Sequence, residues 1–259
     1  MGVDPGTVRV LAHRGSPTTS AENTVAAILD SLLVGADGVE VDLRLSADGV
    51  LVVSHDPDLR RLTGLALPVA STAWPELRAA AASRGLALAR LEWVLAALAG
   101  RPVVLELKAP PPMPGASELT AEVLVRQLAA LRAADLPLQV TVSSFAPLLV
   151  RAVRAQAAGA VRTALLARPG VRPGGVLRQA LVDGHDEIHP HVLSLLAEPG
   201  CVRAAHACGV AVVPWTVNRS RALRRCSALG VDAVITDVPD AARSAVLSGA
   251  AAQPNRPVM

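Results

Sequence analysis

Along the chain, Ala/Leu/Arg-rich stretches of helical character alternate with short runs of Val, Leu and Ile. A glycine repeatedly stands between the two, as at Gly35, Gly159, Gly209 and Gly230. Glycine closing a helix ahead of a buried strand marks α/β units with parallel strands. The apolar runs predict eight strands, at 8–12, 39–43, 103–107, 138–143, 162–166, 187–189, 211–217 and 233–236. A ninth run, 50–54, follows strand two across Ala47-Asp48-Gly49, a tight-turn sequence that predicts an antiparallel hairpin. With Asp48 near the apex, Ser46 faces Val50 and Asp42 faces Ser54, which returns His55 to the level of Glu40 and Asp42. The pattern predicts a (β/α)8 TIM barrel with a hairpin extension after strand two, formed by residues 1–248 as one barrel domain, with a disordered tail at 249–259. An open doubly wound sheet is the competing architecture.

Polar residues gather where the predicted strands end, the face of a barrel that carries chemistry. Strand one ends Ala12-His13-Arg14-Gly15. In strand two Glu40 and Asp42 are two apart and share a side, and in strand three Glu106 and Lys108 do the same. Two like charges 4 Å apart cost about 4 kcal/mol at an effective dielectric of 20, so three carboxylates at one rim need neutralising. An all-oxygen set suits one hard divalent cation, Mg²⁺ or Ca²⁺. Separate salt bridges to Arg14, Arg44 and Lys108 are the alternative. Lys108 is the only lysine among 25 basic residues, which suggests a position that wants a compact point charge. His13 and His55, titrating near neutral pH, suit a pair in which one takes a proton and the other gives one. Asp56 either orients His55 or caps the turn.

Two other polar groupings receive structural readings. The run His185-Asp186-Glu187-Ile188-His189-Pro190-His191 matches no zinc spacing and reads as a polar surface segment. Thr19 to Glu22 fits a capping box opening the first helix.

Composition narrows the class. Hydrophobic residues make up 51% and charged residues 18%, which excludes intrinsic disorder. Charges interrupt every apolar stretch short of the roughly 18 residues of a spanning helix, and the first 15 residues show no signal-peptide pattern. A net charge of +3 with one Phe, three Trp and no Tyr argues against nucleic acid as a partner. Three cysteines without CxxC spacing fit a reducing compartment, the cytoplasm.

Taken in order, Ala12-His13-Arg14-Gly15, Glu22-Asn23-Thr24, Gly35-Ala36-Asp37 leading to Glu40-x-Asp42, Asp48-Gly49, His55-Asp56 and Glu106-Leu107-Lys108 resemble the glycerophosphodiester phosphodiesterase family. Ser143-Ser144-Phe145, Trp215-Thr216-Val217-Asn218 and Ile235-Thr236-Asp237-Val238-Pro239 are similar to its closing motifs. The resemblance implies metal-dependent hydrolysis of a small-molecule glycerophosphodiester to glycerol phosphate and an alcohol. It further implies His13 and His55 as the acid/base pair, Glu40, Asp42 and Glu106 as metal ligands, Arg14 as a phosphate contact, Lys108 as a further phosphate contact or a ligand-orienting group, and Trp215 as a pocket wall. The short stretch from His55 to Glu106 matches compact members without a large lid, and the Pro-rich run after Lys108 departs from the simplest pattern. Stable membrane insertion is not expected, and homo-oligomerisation is left open. Two other activities compete: a lysophospholipase D, which needs an apolar groove at the same rim, and a non-catalytic phosphate-binding barrel.

Overall fold

The structure is a computed structural model that describes residues 8–15 and 20–250, with side chains up to residue 246. Its strands are β1 (Arg9–His13), β2 (Gly38–Leu45), β3 (Leu51–Val53), β4 (Ala89–Arg90), β5 (Pro102–Leu107), β6 (Gln139–Ser144), β7 (Arg162–Leu166), β8 (Glu187–His189), β9 (Ala211–Val212) and β10 (Ala233–Thr236). The parallel path runs β10-β1-β2-β5-β6-β7-β8-β9. Backbone hydrogen bonds from Asp232 N to Val212 O, from Ile235 N to Pro214 O and from Val217 N to Ile235 O link its two ends. Helices follow the strands, as in a TIM barrel, and the open-sheet alternative is set aside.

All eight expected barrel strands form. Strand two is longer than expected, Gly38–Leu45, and the seventh is much shorter. The seventh was expected over 211–217 but is regular only over Ala211–Val212, because Pro214 has no N–H to give to a ladder. Isolated bonds still carry the chain along β8, with Trp215 N donating to Pro190 O and Val192 N to Trp215 O. The four glycines expected to close helices at 35, 159, 209 and 230 have φ of +99°, +85°, +73° and +73°.

The hairpin has the expected register. Leu43 pairs with Val53 and Leu45 with Leu51, while Ser46 N donates to Val50 O and Ser54 N to Asp42 O. Sequence periodicity did not find β4, a strand of two residues that adds antiparallel to β3. Between β3 and β4 the chain builds its own small core of Val52, Leu59, Val69, Trp74, Leu77, Ala81, Leu86 and Leu88 beside the barrel.

Inside the barrel, Leu11, Val104, Val213, Ala233 and Ile235 form an apolar plug. Leu11, Val104 and Ile235 each lie two residues before His13, Glu106 and Asp237, so strand parity stands these polar side chains on top of the plug. Gly38 opens β2 at a tight point: a Cβ there would lie 2.0 Å from Pro102 O, so no larger residue lets β2 meet β5. The last helix, Pro239–Ala250, runs two residues past the expected boundary at 248. The rest of the expected tail, 251–259, lies outside the described residues.

Candidate active site

The end of β1 turns sharply. Arg14 is left-handed, with φ 54°, a conformation that costs a non-glycine residue on the order of 1–2 kcal/mol. The turn aims Arg14 N at Glu40 Oε2, 3.2 Å away, and brings its guanidinium to Glu22 Oε1 at 3.1 Å and Asp42 Oδ2 at 3.3 Å. Gly15 follows at φ +77°, where a Cβ would lie 2.9 Å from Ile28 N, so glycine lets the helix Val25–Leu33 approach. Asn23 is also left-handed, at φ 60°. Its side-chain amide donates to Asp42 Oδ2 (2.8 Å) and its side-chain carbonyl accepts from Asp42 N (3.2 Å), which ties Asn23 to both the carboxylate and the backbone of Asp42.

Glu40, Asp42 and Glu106 are all buried, and each offers an oxygen within 4.8 Å of the others. The Lys108 ammonium lies 2.6 Å from Asp42 Oδ1 and also contacts Glu106 Oε1. The salt-bridge alternative is therefore met for Asp42 and Glu106, through Lys108 and Arg14. It fails for Arg44, whose guanidinium instead donates to His55 O at 3.0 and 2.7 Å. Two cations against three carboxylates leave one negative charge over. It falls on Glu40, whose Oε1 is buried without a hydrogen-bond partner. Burial, reinforced by the charge of Asp42, pushes the Glu40 carboxyl up to about 8. Burial also raises Glu106 against the pull of Lys108. Burial opposes ionisation of Asp42 as well, but Lys108 and Arg14 override it and hold its pKa low. An orphaned carboxylate oxygen within an all-oxygen group fits a hard divalent cation, so the three carboxylates form a group able to hold a metal ion.

His13 and His55 are each anchored by a carboxylate. His13 Nδ1 is 2.6 Å from Asp237 Oδ1, and His55 Nδ1 is 2.8 Å from Asp56 Oδ1. Both aspartates have pKa values held low against burial, in each case first by the hydrogen bond from the histidine, so they are ionised acceptors and each Nδ1 carries the proton. Nε2 of each ring is left for chemistry. Burial lowers both histidines, but at His13 the Asp237 bond and the nearby Glu40 charge reverse the shift and the pKa rises. At His55 burial prevails and the pKa falls.

A cavity of about 270 Å³ collects His13, Arg14, Glu40, His55, Glu106, Lys108 and Trp215 on its walls. Asp42 stands just behind, with 1% of its surface exposed. Seven of the eight side chains singled out from sequence thus share one opening, and the eighth supports it. Residues 13–241 match the model of the glycerophosphoryl diester phosphodiesterase family. The chain belongs to that family. A glycerophosphodiester phosphodiesterase from Caldanaerobacter subterraneus subsp. tengcongensis is 30% identical over 251 residues, spanning 93% of this chain and 98% of that one. Among solved structures, a glycerophosphodiester phosphodiesterase from Parabacteroides distasonis superposes with a TM-score of 0.80 at 24% identity, covering 95% of this chain and all of that one. A phosphodiesterase from Oleispira antarctica, in complex with the product sn-glycerol-3-phosphate, superposes with a TM-score of 0.78 at 25% identity, covering 93% and 97%.

Within the family's fold, several residues outside the expected set hold the site together. Asp237 anchors His13 and accepts from Asn218 Nδ2 at 2.6 Å. Glu22 joins Arg14 to Arg61, and Arg61 reaches on to Asp56, so one chain of charges runs from Arg14 to the partner of His55. The capping-box expectation is overturned. Thr24 is the N-cap, accepting from Ala27 N at 3.2 Å, and Glu22 is turned into the site; Thr19 lies outside the described residues. Asp237 and Glu22 both stood in the family-like motifs, which was the available signal.

The expected polar surface at 185–191 is overturned in part, because His185, Glu187 and His189 are buried. Parity on β8 turns Glu187 and His189 inward, where Glu187 accepts from Arg162 Nε and Thr141 Oγ1 and meets His189 Nε2, each at 2.9 Å. Among the described residues, no other group of three metal-ligating side chains occurs. No described helix is long and apolar enough to cross a membrane.

Proposed function

We propose that this protein hydrolyses glycerophosphodiesters to glycerol phosphate and an alcohol in a reaction dependent on one divalent cation, Mg²⁺ or Ca²⁺. One observation carries the reading: two histidines whose Nδ1 atoms are occupied by ionised aspartates share a single cavity with Glu40 and Glu106, which group with Asp42 just behind. Glu40, Asp42 and Glu106 would hold the cation, which would offset charge on the phosphoryl oxygens. Arg14, braced by Glu22 and Asp42, presents its guanidinium to the phosphate, and Lys108 adds a second positive charge.

The opposite pKa shifts divide the proton work. His55, whose pKa is lowered, takes a proton at Nε2 from the attacking hydroxyl, either of water or of the substrate's own glycerol; the second route leaves a cyclic phosphate that water then opens to glycerol phosphate, with the two histidines exchanging roles. His13, whose pKa is raised, is the better placed of the two to carry a proton, and it gives that proton from Nε2 to the departing alcohol oxygen as the P–O bond breaks. Ser143 Oγ, buried at the cavity wall without a partner, is placed to receive or supply a hydrogen bond to substrate. Three free cysteines, two of them buried, agree with a cytoplasmic setting.

The test is stoichiometric release of choline and glycerol phosphate from glycerophosphocholine across a panel of divalent cations. Full activity in excess chelator would remove the cation from the scheme, and an absence of multiple turnover with every cation would leave only a phosphate-binding barrel. A second reading rests on a groove of about 460 Å³ between the hairpin and the Pro-rich loop, walled by Leu45, Ala47, Pro57, Pro110, Met113 and Leu119. It meets the catalytic cavity at Lys108, where a lysophospholipid's hydrocarbon could lie. Choline release from a long-chain lysolipid, with none from the deacylated diester, would favour that reading.

A further inference from the structure

Opposite the carboxylates, the catalytic cavity has a wall that general acid/base chemistry does not use. It is formed by Phe145, Leu166, Arg168, Pro169, Trp215 and Ile235. Trp215 is locked in place, with Nε1 donating to His189 O at 3.1 Å and its ring set edge-to-face against Phe145 (5.3 Å) and His191 (5.4 Å). Arg168 lies over the Phe145 ring, its guanidinium carbon 5.0 Å from the centroid. Its backbone is pinned from both sides: Ala167 N donates to His189 O at 3.0 Å, and Val171 N donates to Arg168 O at 3.2 Å.

Arg168 carries the only formal charge on this wall, and among the described residues no carboxylate is within ion-pair distance of it. The arginines nearest in sequence are both engaged, Arg162 with Glu187 and Arg172 with Glu198. An exposed guanidinium facing a cavity and lacking a protein anion is free to meet an anion on the ligand. The ring contact has a second consequence. Aromatic faces attract quaternary ammonium groups, but here the guanidinium already covers the Phe145 face and repels a second cation.

Of the two parts joined by the phosphate, glycerol is uncharged, so a fixed charge beyond the reacting phosphoryl group can discriminate only through the alcohol. We propose that Arg168 is a specificity-determining residue that selects glycerophosphodiesters whose alcohol part carries negative charge, such as a phosphorylated polyol, over those with a cationic alcohol. The inference deepens, and rests on, the hydrolytic reading above.

The test compares kcat/KM for three diesters: glycerophosphoinositol 4-phosphate, glycerophosphoinositol and glycerophosphocholine. The first two differ by one phosphate on the alcohol. Wild type should favour the phosphorylated diester over the neutral one by roughly fivefold, the upper range for an exposed charge contact, and should turn over the choline diester least. The preference should shrink at high ionic strength. In R168Q the first two diesters should become equivalent, R168K should keep part of the preference, and R168E should invert it. Substrate ratios within twofold of wild type in both R168Q and R168E, or a wild type that favours the choline diester, would overturn the assignment of Arg168 alone. No turnover of any of the three would overturn the hydrolytic reading itself, and this inference with it.

Discussion

Replacing Glu40 with Gln should stabilise the cation-free protein, and only at neutral to alkaline pH. In the folded chain the Glu40 carboxyl is raised from 4.5 to about 8, by burial first and by Asp42 second. Below pH 4.5 it is protonated in folded and unfolded chains alike. Between 4.5 and 8 the unfolded chain loses the proton while the folded one keeps it, so stability declines as pH rises through this window. At 1.36 kcal/mol per unit, a shift of about 3.5 units bounds the loss at about 5 kcal/mol, a large part of the 5–15 kcal/mol typical of a folded domain. Glutamine mimics the protonated acid and has nothing to lose. Urea unfolding in excess chelator at pH 5, 6.5 and 8 should therefore show the two proteins close together at pH 5 and E40Q ahead at pH 8 by at least 2 kcal/mol. Adding Mg²⁺ or Ca²⁺ at 100 times its Kd should return about 2.7 kcal/mol to wild type at pH 8, and calorimetry at pH 6.5 should detect close to one proton released per cation bound. Parallel pH profiles for the two proteins in chelator would refute the account of Glu40 as the carboxylate left without a counter-charge.

Alanine at His13 or at His55 should lower kcat by about 10² to 10⁴, the range for a lost proton donor or acceptor, while cation affinity measured by calorimetry is retained. Asp237→Asn should lower kcat roughly tenfold or more and move the alkaline limb of the pH–rate profile to lower pH, because the charge that raises His13 is gone; an unmoved limb would separate Asp237 from His13. Glu106→Gln should raise the cation concentration needed for half-maximal activity by about tenfold or more, which a titration of activity against Mg²⁺ or Ca²⁺ reads directly. Gly38→Ala should destabilise the fold by several kcal/mol, since its methyl would lie 2.0 Å from Pro102 O; a thermal midpoint within 2 °C of wild type would show that β2 and β5 tolerate separation.

The barrel was legible because its cause is local. A two-residue period in short apolar runs sets which side chains face inward, and it placed Glu40, Asp42 and Glu106 on one surface before any contact was known. The hairpin was legible for the same reason, since Ala47-Asp48-Gly49 fixes the turn and the turn fixes the register down to Ser54 N and Asp42 O. Long-range partnership was not legible. Asp237 lies 224 residues from His13, and nothing in the spacing of either says that they meet. Glu22 shows local chemistry giving way to tertiary chemistry: its offset from Thr19 suits a capping box, but two arginines compete for the carboxylate and Thr24 supplies the cap. At β9 the apolar period outweighed a hydrogen-bonding limit: Pro214 has no N–H to give, so the ladder ends although the apolar run continues.

Two buried glutamates show why burial of a charge is not by itself a mark of chemistry. Glu40 and Glu187 are exposed to the same small degree, 3% and 4%, and both stand on inward positions of one barrel, on strands four apart. Burial raises the pKa of each, yet Glu40 ends at about 8 and Glu187 at about 2. The difference lies in the company each keeps. Glu187 has three partners within hydrogen-bond distance, Arg162, Thr141 and His189, and its charge is answered within the fold. Glu40 has one backbone N–H, a histidine 3.9 Å away and two further carboxylates beside it, and one of its oxygens has no partner. A folding polypeptide gains nothing from holding an acid in such surroundings, since glutamine would fit the same space without the charge. The arrangement becomes favourable only when something positive enters from outside the chain, and the cavity bearing His13, His55, Arg14 and Lys108 opens at that point. The Glu187 end of the barrel accounts for stability, and the Glu40 end is intelligible only through what it binds.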